Sequence, residues 1–108
     1  MKEVVIVSAC RTAIGTFGGS LRNMDVATMG SVVMKEAIKR ANIDPALIAD
    51  VRFGCCREPV DSLNATRISA LLAGVPETSM AATVNRVCIS GMEAVISGYK
   101  PCRLSIRM

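Results

Sequence analysis

The run Met80-Ala-Ala-Thr-Val-Asn-Arg-Val-Cys88-Ile-Ser-Gly-Met-Glu-Ala-Val-Ile-Ser-Gly-Tyr99 decides the fold. Residues 80–87 read as a strand carrying Met80, Ala82, Val84 and Val87. The period then changes: Ile89, Met92, Val95, Ile96 and Tyr99 recur at helical spacing, so a helix begins near Cys88. Cys88 therefore stands where a strand feeds a helix. In α/β folds with parallel sheets, sites lie at the carboxyl ends of strands.

Upstream the same alternation repeats. Val4-Val5-Ile6-Val7 is a short apolar run rich in β-branched residues, as in a strand buried on both faces. A Gly-rich loop follows at residues 15–20. Asp25 caps a helix with Val26, Met29, Val33, Ala37, Ile38 and Ala41 on one face, and Asn42 stops it after Lys39 and Arg40. Asp44-Pro45 starts a helical turn, and Val51-Arg-Phe-Gly54 reads as a second strand. Asp61, Ser62 or Asn64 caps a second helix with Ala65, Ile68, Leu71 and Leu72 inward, ended by Gly74 and Pro76. The expected order is β-α-β-α-β-α, an α/β fold with a mostly parallel sheet.

Length and composition narrow the classes. With 108 residues the chain forms one domain at most, and 51% apolar residues mark it as globular. Three aromatics leave few stacking platforms for single-stranded nucleic acid. The net charge of +4 is spread out, with Lys39-Arg40 the nearest thing to a cluster. It reads as a solvated surface with a weak preference for anions such as a phosphorylated cofactor, not as a nucleic-acid footprint. No stretch approaches the roughly 18 to 20 apolar residues of a membrane span. The start, Met1-Lys2-Glu3, does not read as a secretory signal. Five cysteines (Cys10, Cys55, Cys56, Cys88, Cys102) fit no zinc spacing. Reduced thiols in the cytoplasm are the expectation.

Cys88 has two readings on these residues alone. At a helix start, free amides and the positive helix end favour thiolate, which is the nucleophile. A free thiol titrates near ~8.5, however, and a helix end contributes roughly 0.3 to 2 kcal/mol. Full activation calls for a second partner, usually His, and the chain has no His. The other reading is a small buried apolar side chain, as most free cysteines are. Ser90-Gly91 can equally be helix-start punctuation.

Three segments in order resemble the thiolase family. Asn85-Arg-Val-Cys-Ile-Ser-Gly91 resembles its nucleophile motif, Asn-x-x-Cys-x-Ser-Gly. Val4 through Gly19 is similar to its first strand and Arg-Thr-Pro/Ala-x-Gly turn. Asn64-Ala-Thr-Arg67 through Ala73-Gly-Val-Pro76 resembles its Asn-x-x-Arg helix and Ala-Gly-x-Pro turn. The resemblance implies an acyltransferase in which Cys88 attacks the thioester of an acetyl-CoA or acyl-CoA, releases CoA and holds the acyl group. Backbone amides around Ile89, Ser90 and Gly91 would support the oxyanion. No metal or bound prosthetic group is implied; CoA thioesters are substrates. A homo-oligomer is expected, with no nucleic-acid or membrane partner.

The resemblance covers residues 1–100, and residues 101–108 diverge as a tail. Ile89 stands where relatives often have a smaller residue; it either narrows the space beside the thiol or packs beneath the helix. Cys55 and Cys56, in a stretch where many relatives have a Gly-rich loop, read as structural. The family's Gly-His-Pro and Cys-x-Gly-Gly motifs are not in these 108 residues. The expectation is thus an N-terminal, incomplete piece that does not turn over alone. Two other functions fit the same residues: a non-catalytic chain that pairs with full-length thiolase subunits, and a ketoacyl-synthase-like condensing enzyme. The Arg11-Thr12 turn and the Asn85-x-x-Cys88 spacing favour the thiolase reading over the last.

Overall fold

Short polar side chains that capture free backbone amides set the starts of the first two helices. The structure, a computed structural model, describes residues 3–104. Asp25 accepts from the Thr28 amide at 2.8 Å and opens helix α1 (Val26–Ala41). Asn42 closes it in the left-handed conformation, its N–H donating to the Lys39 carbonyl. The Asp44 carboxylate takes the Ala46 amide at 2.9 Å and starts a single 3-10 turn, Pro45–Leu47. Strand β1 (Asp50–Gly54) follows, then helix α2 (Ala65–Leu72), strand β2 (Met80–Val84) and helix α3 (Ser90–Leu104). Of the three caps expected for α2, Asn64 is the one used; it accepts from the Arg67 amide at 3.2 Å. Gly74, at φ 87, ends that helix: its amide reaches the Leu71 carbonyl and the Val75 amide reaches Ala70.

β1 and β2 pair in parallel, from Asp50 opposite Met80 to Gly54 opposite Val84. α2 is the crossover between them. The fold is α/β with a parallel sheet, but among the described residues that sheet has two strands. The expected first strand, Val4–Val7, is not one. Its residues pair with neither strand and stand largely exposed. A strand exists only where a neighbour takes its amides and carbonyls. Here the following residues are instead hung on α1: Ser8 Oγ donates to the Ala37 carbonyl, Cys10 Sγ to that of Val33, and Arg40 reaches Ala9. The third expected strand also stops early, at Val84 and not at Val87.

The inner faces match the periodic reading in part: Ala65 is buried, Met29, Val33, Ala37, Ile38 and Ile68 are half-buried, and the most buried positions are other, smaller residues. α1 packs on α2 through small residues. Ala27, Gly30, Ser31 and Met34 are the buried side of α1, and Ala65, Thr66, Ser69 and Ala70 that of α2. A methyl group at Gly30 would meet Ser69 Oγ at 2.5 Å, and that hydroxyl donates to the Ala27 carbonyl at 3.0 Å. Bulky Val26, Leu71 and Leu72 are left outside. Met34, Ala70, Ala73 and Val75 form the buried core, flanked by Ile38, Ile48, Val51 and Phe53. Among the described side chains of α3, Ser90 and Ala94 are the buried ones, so the stripe from Ile89 through Tyr99 faces outward.

Arg52 joins β1 to α3. Its guanidinium pairs with Asp50 at 2.7 Å and donates to the Ser97 carbonyl at 2.9 Å. Pro101 lies inside α3 and has no N–H for the carbonyl four residues back, which is that of Ser97. The arginine supplies the missing donor.

Candidate functional site

The turn from Val84 to Ser90 is built almost entirely from its own polar groups. Asn85 Oδ1 accepts the Val87 amide at 3.0 Å. Ser90 Oγ accepts the Arg86 amide at 2.9 Å and donates to the Val87 carbonyl at 2.6 Å. The Ile89 and Ser90 amides are taken by the carbonyls of Arg86 and Val87, each at 3.2 Å. Val87 itself sits at φ 51, a left-handed backbone that β-branched residues rarely adopt.

Cys88 follows Val87 and is exposed, two residues ahead of the first residue of α3. The reading of Cys88 as a buried apolar side chain is thereby overturned. Ile89 is 45% exposed, so it does not pack beneath the helix. Ser90 is buried and holds the turn; Gly91 is exposed with open space on its Cα. The amides of Gly91 and Met92 have no hydrogen-bond partner among the described residues. They are the donors left at this end of α3, available to an anionic or partially charged oxygen.

The end of β1 closes the other side. A methyl group at Gly54 would overlap the Ser90 carbonyl group and the Gly91 nitrogen. The Cys55 amide extends the ladder to the Val84 carbonyl at 2.9 Å, and Asn85 Nδ2 donates to the Cys56 carbonyl at 3.3 Å. Cys55 Sγ lies 3.3 Å from the Arg57 carbonyl, a local contact within its own loop. Arg86 and Glu93 form an ion pair at 2.5 Å beside the turn. Among the described residues no group of three or more His, Cys, Asp or Glu is arranged to hold a metal ion.

Sequence reasoning named the amides of Ile89, Ser90 and Gly91 beside Cys88 as oxyanion donors; those of Ile89 and Ser90 are instead taken by the Arg86 and Val87 carbonyls, which leaves the Gly91 amide of the three. It passed over Gly54, whose only signal is a glycine at a strand end. It also passed over the conformation of Val87, for which the sequence carries no signal. An apolar cleft of about 490 Å³ runs elsewhere, between Val4, Val5, Ile6 and the flank of α3 at Val95, Ile96 and Tyr99.

The thiolase N-terminal domain matches residues 4–104. The chain belongs to the thiolase family. It is 47% identical over 94 residues to an acetyl-CoA acetyltransferase of Syntrophomonas wolfei, covering 87% of this chain and 24% of that protein. An acetyl-CoA acetyltransferase sequence of Clostridioides difficile is 44% identical over 94 residues, covering 87% of this chain and 88% of it. The fold is similar to a thiolase from Ascaris suum solved in complex with coenzyme A, with a TM-score of 0.91 and 32% identity. That match covers 98% of this chain and 28% of the other. This thiolase chain thus spans about a quarter of the Syntrophomonas and Ascaris proteins.

Proposed function

We propose that this chain carries the acyl-accepting half of a thiolase site, with Cys88 as nucleophile and acetyl-CoA or another acyl-CoA as substrate. The observation that supports it is the placement of an exposed Cys88 on a tightly held strand-to-helix turn, ahead of two open helix amides. The Cys88 thiolate attacks the thioester carbonyl carbon. The carbonyl oxygen gains charge, which the Gly91 and Met92 amides are available to stabilise. The bond to the CoA sulfur breaks and CoA leaves as its thiolate, which takes a proton from water, while the acyl group stays on Cys88. A second acceptor, CoA or an acetyl-CoA carbanion, then takes it. CoA is a substrate in this scheme and no bound prosthetic group takes part. The five unpaired cysteines suit a reducing compartment.

The chain has no His, so no imidazole takes the thiol proton. We expect Cys88 to acylate selectively but slowly, and steady-state thiolysis by the 108-residue chain to be undetectable. Incubation with acetyl-CoA, followed by peptide mapping, checks this. Acetyl label concentrated on Cys88 and lost in Cys88→Ser supports the reading. Label spread evenly over the five thiols sinks it. A second reading, pairing with full-length thiolase subunits, is favoured by the outward Leu71, Leu72, Met92 and Val95 side chains. Failure to co-purify with a co-expressed full-length thiolase would remove it.

A further inference from the structure

We propose that Gly54 and Val87 are positioning residues for the Cys88 thiol, acting through the turn that carries it. The proposal rests on the reading of Cys88 as the acyl-accepting nucleophile. Val87 is β-branched and stands at φ 51. Such a backbone persists only where its surroundings over-determine it, and such sites gather where strain serves function. Both polar groups of Val87 are held: the amide by Asn85 Oδ1, the carbonyl by the hydroxyl and amide of Ser90. Ser90 is itself buried and also holds the Arg86 amide.

The other restraint comes from β1. The start of α3 lies so close to Gly54 that any side chain there would overlap the Ser90 and Gly91 backbone. The contact is with backbone atoms, which cannot swing aside as a flexible side chain would. Asn85 Nδ2 fastens the same turn to the Cys56 carbonyl two residues past Gly54. Gly54 thus sets how deeply the start of α3 sits, and Val87 sets the direction in which the chain enters it. Cys88 lies between the two, so its exit from the backbone is fixed relative to the Gly91 and Met92 amides. Neither residue needs to touch the substrate. Glycine at 87 would adopt the same φ without strain, so Val87→Gly loosens the turn while the native backbone stays accessible.

The test uses the reduced 108-residue chain and iodoacetamide, with each of the five cysteines followed by peptide mapping from about pH 6 to 9. In the parent chain Cys88 is expected to alkylate faster at neutral pH than Cys56 and Cys102, which are exposed as well. Val87→Gly is expected to hold or raise the Tm while slowing Cys88 about threefold or more at neutral pH. Cys56 and Cys102 should stay within about twofold. A merely structural role would not slow one thiol while stability rises. Gly54→Ala is expected to slow Cys88 in the same selective way. Gly98→Ala is the control, since a methyl there meets nothing; Cys88 should keep its rate. A Val87→Gly chain whose Cys88 rate stays within about twofold of the parent overturns the proposal. If Gly54→Ala unfolds the chain, all five thiols converge on one rate and Val87→Gly alone decides. If Cys88 of the parent is no faster than Cys102, the nucleophile reading itself fails, a pattern distinct from fast parent and fast variants.

Discussion

Asn64 holds a left-handed backbone, φ 53 and ψ 64, and its amide side chain joins α2 to β2. Oδ1 accepts from the Arg67 amide and from Thr83 Oγ1, and Nδ2 donates to the Ala81 carbonyl at 3.2 Å. Thr83 Oγ1 in turn meets the fully buried Thr66 at 2.9 Å. Removing the side chain loses a cap worth about 1 kcal/mol and leaves a strained alanine costing about 1 more. Asn64→Ala is therefore expected to cost about 2 kcal/mol in urea unfolding, and Asn64→Gly less, because glycine takes that φ freely. Equal losses would show that strain plays no part.

Acid acts on α1 by the same kind of contact. The Thr28 hydroxyl and amide hold the Asp25 carboxyl below its ordinary value of 3.8. Glu36 is lowered by the hydrogen bond and charge of Arg40, whose own value Glu36 raises in return. Depressed carboxyls contribute stability that is present above their unfolded values and lost as pH falls through the folded ones. The Tm should be flat from neutrality to about pH 5 and fall below about pH 4, with a smaller fall in Asp25→Asn, which still caps. An equal fall in both chains would move the effect elsewhere. Caps such as Asp25, Asn42 and Asp44 were legible because each depends on residues within three positions of it. Val87 was not, since nothing in a β-branched residue points to a left-handed backbone.

At the level of elements, the joint between β1 and α3 is the most exposed to a clean test. Arg52 fills the place of the N–H that Pro101 lacks. Arg52→Leu leaves the Ser97 carbonyl without a donor and is expected to cost about 1 to 3 kcal/mol. In a Pro101→Ala background the alanine amide can take that carbonyl, so the same change should cost about 1 kcal/mol less. The loss of the Asp50 pair is common to both backgrounds and cancels in the cycle. Additive costs would deny the compensation. The elements themselves were readable from their start and stop signals, apart from Val4–Val7, which has strand composition but no ladder partner. Their inner faces were legible only in part, at Ala65 and Ile38 for example. Periodicity marks the bulky residues, whereas α1 and α2 meet through Ala27, Gly30, Ser69 and Ala70 because small side chains let two backbones approach.

Across the whole molecule, that choice of inner face leaves apolar surface outside. Met92 and Val95 are 66% and 65% exposed, and the two-stranded sheet ends at β2. Asn64 Nδ2 already donates to one outward carbonyl of that edge, at Ala81, and the rest of a strand edge beside apolar patches favours pairing with another copy. The edge is defined enough to test. Met80 and Val84 turn their backbone groups toward β1, as the bonds from Met80 to Ala49 and from Cys55 to Val84 require. Alternation then points the Ala81 and Thr83 amides away from β1. Proline at 81 would remove an outward N–H without breaking the ladder, while Thr83 must stay for its contacts with Asn64 and Thr66. Sedimentation of the parent chain should show concentration-dependent association, and Ala81→Pro should shift it toward monomer with little change in Tm. Leu71→Gln with Leu72→Gln probes the other surface, the outward face of α2. If Ala81→Pro associates as the parent does and the double glutamine variant does not, the copies meet through helix faces and the β2 edge stays free. A parent chain that sediments as a sharp monomer and melts cooperatively would mean that Ala27, Gly30, Ser69 and Ala70 pack well enough to stabilise the fold alone.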